Sequence, residues 1–251
     1  MSRSEIIRFL ILRSLGNFLV LIALYGVALT FGPIIRYEIQ YQVIKWRHVH
    51  FTIENVPKVP GISDGKKKVQ KTFGISRAVD NADTSQSSPG FAEILAGNKE
   101  QVLMPIDPLF SILIPKLGID EQVVANVDPD NPSDYLPVLQ HAIAHAKGSV
   151  FPGDSGTIYL FAHSADNWWD IEHYNAVFYT LNNLSVGDDI VIFYENRRYD
   201  YTVSQQIISD PQDVTLLTAE HIGPSQLVLQ TCWPPGTSWK RMYIIATPKK
   251  V

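Results

Sequence analysis

Residues 14–35 read SLGNFLVLIALYGVALTFGPII, twenty-two consecutive positions without a charge. At about 1.5 Å per helical residue, ~20 apolar residues cross the hydrocarbon core of a bilayer. Such a run belongs in lipid, so the folded part of the chain must lie on its C-terminal side. Arg3, Arg8 and Arg13 precede the run against the single acid Glu5, and Arg36, Lys45 and Arg47 come after it. The positive-inside bias therefore keeps residues 1–13 in the cytoplasm and sends the C-terminal bulk outward. A cleaved signal peptide is the competing reading, with Gly26 and Ala28 as a weak cleavage site. Signal cores usually run ~7–15 residues, shorter than this one. The expectation is one uncleaved span at 14–35 and an extracytoplasmic domain.

Beyond the span, residues 36–100 read as a juxtamembrane segment and linker. Positions 37–53 alternate apolar and polar in part, which suits either a strand or an amphipathic helix at the membrane surface. Positions 54–90 are rich in Pro, Gly, Ser, Lys and Asp without a sustained apolar period, the composition of a tether. Lys66, Lys67, Lys68 and Lys71 within it form a solvated charge run that anionic lipid would also attract. A net charge of −4, with no basic stripe interleaved with aromatics, gives no reason to expect nucleic acid as a partner.

From 101 to 251 short β-rich runs recur: FSILIPKL (110–117), EQVVANV (121–127), TIYLFAH (157–163), DIVIFYE (189–195), RYDYTVSQQII (198–208), QLVLQTC (226–232) and RMYIIAT (241–247). Helical patches interrupt them near 134–146 and 174–184. Many short strands and few helices predict a mainly β domain closed into a barrel.

The chain has one cysteine, Cys232, at the end of a strand-like run and before a Pro-Gly turn. It can form no intramolecular disulfide. Outside the cytoplasm an unpaired thiol is either a small buried core residue or a reactive group. Arg241 opens the next strand. If the two strands pair as a hairpin, their axes lie ~4.8 Å apart and the guanidinium stands beside the thiol. There it favours the thiolate and offers hydrogen bonds to an oxyanion. A solvated surface arginine is the alternative.

A thiol nucleophile also needs a proton-exchanging partner, for which histidine suits neutral pH. His48 and His50 lie near the membrane, and His173 and His221 lie in loops. His141 and His145 in HAIAH share one face if the segment is helical, but the motif lacks a metalloprotease glutamate and a third ligand, so no metal is expected. His163 ends the run TIYLFAH where it opens into the polar loop SADNWWD, a place where a barrel exposes functional groups. Trp168, Trp169, Trp233 and Trp239 lie within seven residues of His163 or Cys232. They suit the wall of a peptide groove, as His145 does, and equally core or rim packing. Asp128, Asp130 and Asp134 offer oxygen ligands, but a solvated acidic loop accounts for them; no cofactor is expected and calcium activation is not indicated.

With these residues placed, the chain resembles the sortases, membrane-anchored cysteine transpeptidases of bacterial cell surfaces. The family's T-L-x-T-C signature lines up with Val228, Leu229, Gln230, Thr231 and Cys232, and its downstream arginine with Arg241. FPGDSGTIYLFAHS resembles the family's histidine segment, with His163 as its histidine, and SILIPKLGID resembles the domain's first strand. The likeness covers roughly 105–250 together with the anchor. Val228 replaces the signature's first threonine, and Ala162 stands where glycine often precedes the histidine. Neither change removes a reacting atom.

The resemblance implies a closed barrel of about eight strands with short helices. It implies a Cys232 nucleophile, His163 as acid and base, and Arg241 holding substrate and oxyanion, with Thr231 contributing at the same site. The implied reaction cleaves a C-terminal L-P-x-T-G-like sorting motif and transfers the surface protein to an amine, either a peptidoglycan precursor or a pilin lysine. Two rivals remain: an envelope cysteine peptidase with water as acceptor, and a non-enzymatic, membrane-tethered peptide-binding barrel.

Overall fold

The computed structural model describes residues 3–53, 100–164, 176–213, 224–235 and 237–249. The tether at 54–90, Trp168, Trp169, His173 and His221 lie outside the described residues. Helix α1 spans Arg3–Arg47 and leads into β1 (His50–Ile53) and β2 (Glu100–Leu103). The ambiguous stretch 37–53 is thus both helix and strand, in that order. The apolar part of α1 among the described residues is Ile7–Val27, none of it buried against the protein.

The remaining strands are β3 (Phe110–Ile114), β4 (Ile119–Val127), β5 (Ile143–Ala146), β6 (Thr157–Phe161), β7 (Asp189–Tyr194), β8 (Arg197–Ser209), β9 (Gln226–Trp233) and β10 (Lys240–Pro248). They close into an eight-strand barrel in the order β10-β8-β7-β3-β4-β5-β6-β9. The fold is the expected one: mainly β, closed, with few helices.

Every position of β3 and β6 is buried, as are the middle four of β7. Uninterrupted apolar runs of this kind need both sheet faces covered. Ile112, Ile158, Leu160, Ile190, Ile192, Leu227 and Leu229 fill the barrel interior. Outside, Tyr159, Phe161, Val228 and Tyr243 pack with Leu139 of α2 (Pro132–Leu139), while Leu113, Val191 and Phe193 pack with Leu103, Phe51 and Ile53. Val228, the departure from the family signature, is wholly buried in the layer beneath α2, a site that suits an apolar side chain.

The helical patch expected over 134–146 is corrected. Helix α2 begins behind Asn131, whose side chain accepts the Ser133 N–H, and ends at Leu139. Ile143–Ala146 instead forms β5, parallel to β4 and antiparallel to β6. Without that strand the barrel would be open between β4 and β6, and the ladder overrides the local preference of an Ala-rich segment for helix. In the patch expected over 174–184, the described residues carry a short 3-10 turn, Leu181–Asn183.

The registers put the ends of β3, β6 and β9 and the starts of β4, β5, β7 and β10 at one end of the barrel. Two adjacent carboxylates sit there on opposite faces of β4. Asp120, almost fully buried, accepts the Ile106 N–H at 3.0 Å, and burial pushes its pKa up to about 6 against that hydrogen bond. Glu121 lies between Ile119 and Val123, which face the interior; burial, then the Asp120 charge, push it up to about 7.

A carboxyl whose folded pKa exceeds its unfolded value binds protons more tightly when folded, so its contribution to stability falls as pH rises through the window between the two. For Glu121 that window runs from 4.5 to about 7. Glu121→Gln should therefore raise stability above pH 7, by up to about 3 kcal/mol or roughly 6–12 °C in Tm, and far less at pH 5. Thermal melts of both proteins at the two pH values check this. A gain of equal size at pH 5 and pH 8 would remove Glu121 ionisation as the cause.

Candidate active site

Strand β9 lies between two partners. It runs parallel to β6, with Phe161 opposite Gln230, and antiparallel to β10, with Cys232 opposite Arg241. Continuing the β6 register by two residues brings His163 level with Cys232. His163, Cys232 and Arg241 thus form one row across three neighbouring strands spaced about 4.8 Å apart, with the thiol in the middle. All three side chains line the same cleft of about 290 Å³.

The row below contains Phe161, Gln230 and Tyr243, which also line the cleft. This cleft lies on the outer face of the barrel wall, walled by Tyr135 and Leu139 of α2. A larger hollow, about 590 Å³, lies between α1 and the turn at 115–118. It contains no thiol and is not the centre of this chemistry.

Arg241 Nη1 is 3.5 Å from Cys232 Sγ, 3.3 Å from the Lys240 carbonyl and 3.5 Å from that of Ser238. The turn carbonyls thus hold the guanidinium at the sulfur, and all three contacts use one nitrogen. The half-buried thiol is reachable from the cleft.

Thr231 points the other way. It is 2% exposed, and its Oγ1 donates to the Ala162 carbonyl at 3.0 Å. The Ala162 N–H donates to the Gln230 carbonyl at 3.2 Å. Ala162, the residue before His163, is therefore tied to β9 twice, through Thr231 and through Gln230. Thr231 does not line the cleft; it braces the two strands that carry the row.

The tryptophan expectations divide. Trp168 and Trp169 lie outside the described residues. Trp233 is half-buried beside Lys240, and Trp239 is 74% exposed; neither lines the cleft.

His145 is a correction. It is fully buried on the interior side of β5, away from the cleft, and stacks on Phe151 at 4.5 Å. Its Nδ1 faces the Asn126 N–H at 3.3 Å, which makes that nitrogen an acceptor. Nε2 then carries the proton, 3.1 Å from the Val150 carbonyl and 2.9 Å from Ser149 Oγ. Burial lowers its pKa, consistent with a neutral ring in a structural role. His141 lies exposed in the turn before β5, so the two histidines share no helix face. In the acidic loop, Asp134 accepts the Asp128 N–H, Asp128 accepts the Asp130 N–H, and Asp128 pairs with Lys147 at 3.1 Å.

Sequence reasoning missed the polar floor of the cleft. Tyr159 OH donates to Gln230 Oε1 at 2.8 Å, and Tyr243 OH donates to the Asp213 carbonyl at 3.1 Å. Burial is the main cause that raises both phenol pKa values, so both remain protonated donors. The available signal was the two-residue strand period: Tyr159 and Phe161 are in phase with His163, Gln230 with Cys232, and Tyr243 with Arg241.

The family model of the Sortase domain matches residues 112–249, which includes the whole row. The chain belongs to the sortase family. Sortase D of Bacillus subtilis is 27% identical over 135 residues, 53% of this chain and 59% of that protein, so less than two thirds of the relative's length is spanned. Among solved sortases, the lid mutant of sortase A from Corynebacterium diphtheriae is 22% identical, covering 58% of this chain and 72% of that one at a TM-score of 0.47. Sortase C-1 from Actinomyces oris is 20% identical, covering 58% and 77% at a TM-score of 0.48.

The brace predicts a stability difference within this sortase domain. Thr231→Val keeps the shape but leaves the Ala162 carbonyl without the hydroxyl, and should cost about 1–2 kcal/mol. Thr231→Ser should cost clearly less. Urea unfolding of the three proteins checks this, and a valine variant as stable as wild type would show that the bond does not brace the strands.

Proposed function

We propose that the chain is a membrane-anchored cysteine transpeptidase that cleaves a C-terminal sorting motif and transfers the protein bearing it to an amine. The observation that carries the reading is the single row His163–Cys232–Arg241 facing one cleft, with the nucleophile flanked on each side. Cys232 Sγ, as thiolate, attacks the carbonyl between Thr and Gly of an L-P-x-T-G-like segment. The tetrahedral oxyanion that forms is met by guanidinium N–H groups of Arg241. As the intermediate collapses the C–N bond breaks, and His163 gives its proton to the departing amine. An acceptor amine, from a peptidoglycan precursor or a pilin lysine, then attacks the thioester. His163 takes a proton from that amine, and the thiolate is released.

The exposed apolar helix Ile7–Val27 supports a membrane location. Arg3, Arg8 and Arg13 support a cytoplasmic N-terminus with the barrel outside. The chemistry needs no cofactor: thiol, imidazole and guanidinium supply nucleophile, proton exchange and charge. The partners are surface proteins carrying the motif and the amine acceptor.

Mass spectrometry of the full chain mixed with a sorting-motif peptide should show a thioester adduct at Cys232, resolved faster when an amine is added. Cys232→Ala should show none. An adduct retained by that variant would rule out this nucleophile, and product that is hydrolysed equally with and without amine would leave a peptidase.

Arg241 separates charge from geometry. Arg241→Lys keeps a cation near the sulfur but loses the planar fork that can hold two acceptors. Turnover should fall at least about tenfold, or ~1.4 kcal/mol of barrier. The pH dependence of thiol alkylation should move far less. Near-normal turnover with lysine would show that bare charge is enough.

A further inference from the structure

The anchor helix does not stop at the membrane. Its last turns are packed on the barrel, at the end where β6 and β9 deliver His163 and Cys232. Tyr41, 8% exposed, belongs to the interior cluster together with Leu117, Ile119, Leu181 and Leu184. Ile44 and Val49 are buried beside Phe51. Gly118, at φ +64°, forms the turn between β3 and β4, and a Cβ there would come within 2.9 Å of Ile44 Cδ1. The left-handed backbone at 118 favours glycine, and the end of the Ile44 side chain packs over it. Glu38 faces the same end: after burial, its charge helps raise the pKa of Tyr179. The neighbouring Phe178 N–H donates to the His163 carbonyl at 3.2 Å.

The chain beyond α1 is also fastened. Strand β1 pairs in parallel with β2, from His50 opposite Glu100 to Ile53 opposite Leu103. Phe51 and Ile53 pack on Leu113 and Phe193, and Arg198 Nη1 donates to the Ile53 carbonyl at 3.1 Å. Residues 54–99 therefore leave from and return to one fastened pair of strands. They do not separate the anchor from the barrel. The spacing is set by α1 itself. Fourteen residues separate Tyr41 from Val27, about 21 Å of helix, and six separate it from Ile35, about 9 Å. Tilt or a bend at Pro33 shortens these distances and cannot lengthen them.

We infer that the last third of α1 is a docking element that fixes the orientation of the barrel and holds its His163–Cys232 end toward the bilayer, within about 20 Å of it. This placement does not rest on the transpeptidase reading above. A barrel on a loose tether would sample all orientations and many heights above the surface. A docked barrel presents its cleft at one height and one tilt.

The test uses the full chain in lipid nanodiscs, with a donor dye on Cys232, the single cysteine, and acceptor dyes on the headgroups. Wild type should show one narrow population with strong energy transfer. Tyr41→Ala/Ile44→Ala should show a broad population of weaker transfer, and Tyr41→Phe should behave as wild type. Thermal melts of the unlabelled proteins should show one cooperative barrel transition in the double variant as in wild type, which reports that the barrel is folded. A broad wild-type population, or equal energy transfer in wild type and double variant, overturns the placement.

Discussion

The pairing of β9 between β6 and β10 is the constraint on which the site depends. A parallel ladder on one side and an antiparallel ladder on the other fix both neighbours of Cys232 through the backbone. A slip of one residue in either ladder would turn every side chain of that strand to the opposite face. The row would then lose either its histidine or its arginine to the barrel interior. Thr231 and Ala162 resist such a slip because their hydrogen bonds cross the β6–β9 seam next to the row.

The cleft exists because the outer covering of the barrel stops. Helix α2 and its neighbours bury Tyr159, Phe161, Val228 and Tyr243, and at the strand ends the covering thins to expose Gln230, Cys232 and Arg241. The same outward face therefore serves as core under α2 and as site beyond it. This division explains why the floor is built of tyrosines, whose rings pack while their hydroxyls reach Gln230 and the Asp213 carbonyl. On the opposite side β1 and β2 cover β3 and β7, so the wall is two-sided there as well. Both flanks of the barrel are thus covered by segments with a second role: α2 walls the cleft, and β1 carries the chain on from the apolar helix α1.

The strands were largely legible from local pattern because turns and apolar runs are local properties. The runs at 157–163, 189–195, 226–232 and 241–247 correspond to β6, β7, β9 and β10 with ends shifted by one or two residues. HAIAH departs from its local pattern for an equally physical reason. An Ala-rich segment has helical preference on its own, and only the need to bridge β4 and β6 makes it a strand. His145 consequently turns into the interior, where its ring is consumed by Asn126, Ser149 and Val150.

By itself the sequence determined the apolar segment near the start, the β character of 101–251, and the adjacency of Cys232 and Arg241, since a short turn between two strands allows little else. It also singled out His163, by the chemistry of a strand end and by likeness to a family. What only the tertiary structure decided was longer in range. The parallel β6–β9 pairing joins residues about seventy positions apart, and no local period encodes its register. That pairing puts His163 level with the thiol, gathers Tyr159, Gln230 and Tyr243 into one floor, and sets the cleft on the outside of the barrel. The docking of Ile44 over Gly118 and of Tyr41 into the interior cluster is likewise invisible in the chain, because it depends on two surfaces that meet only after the barrel has closed.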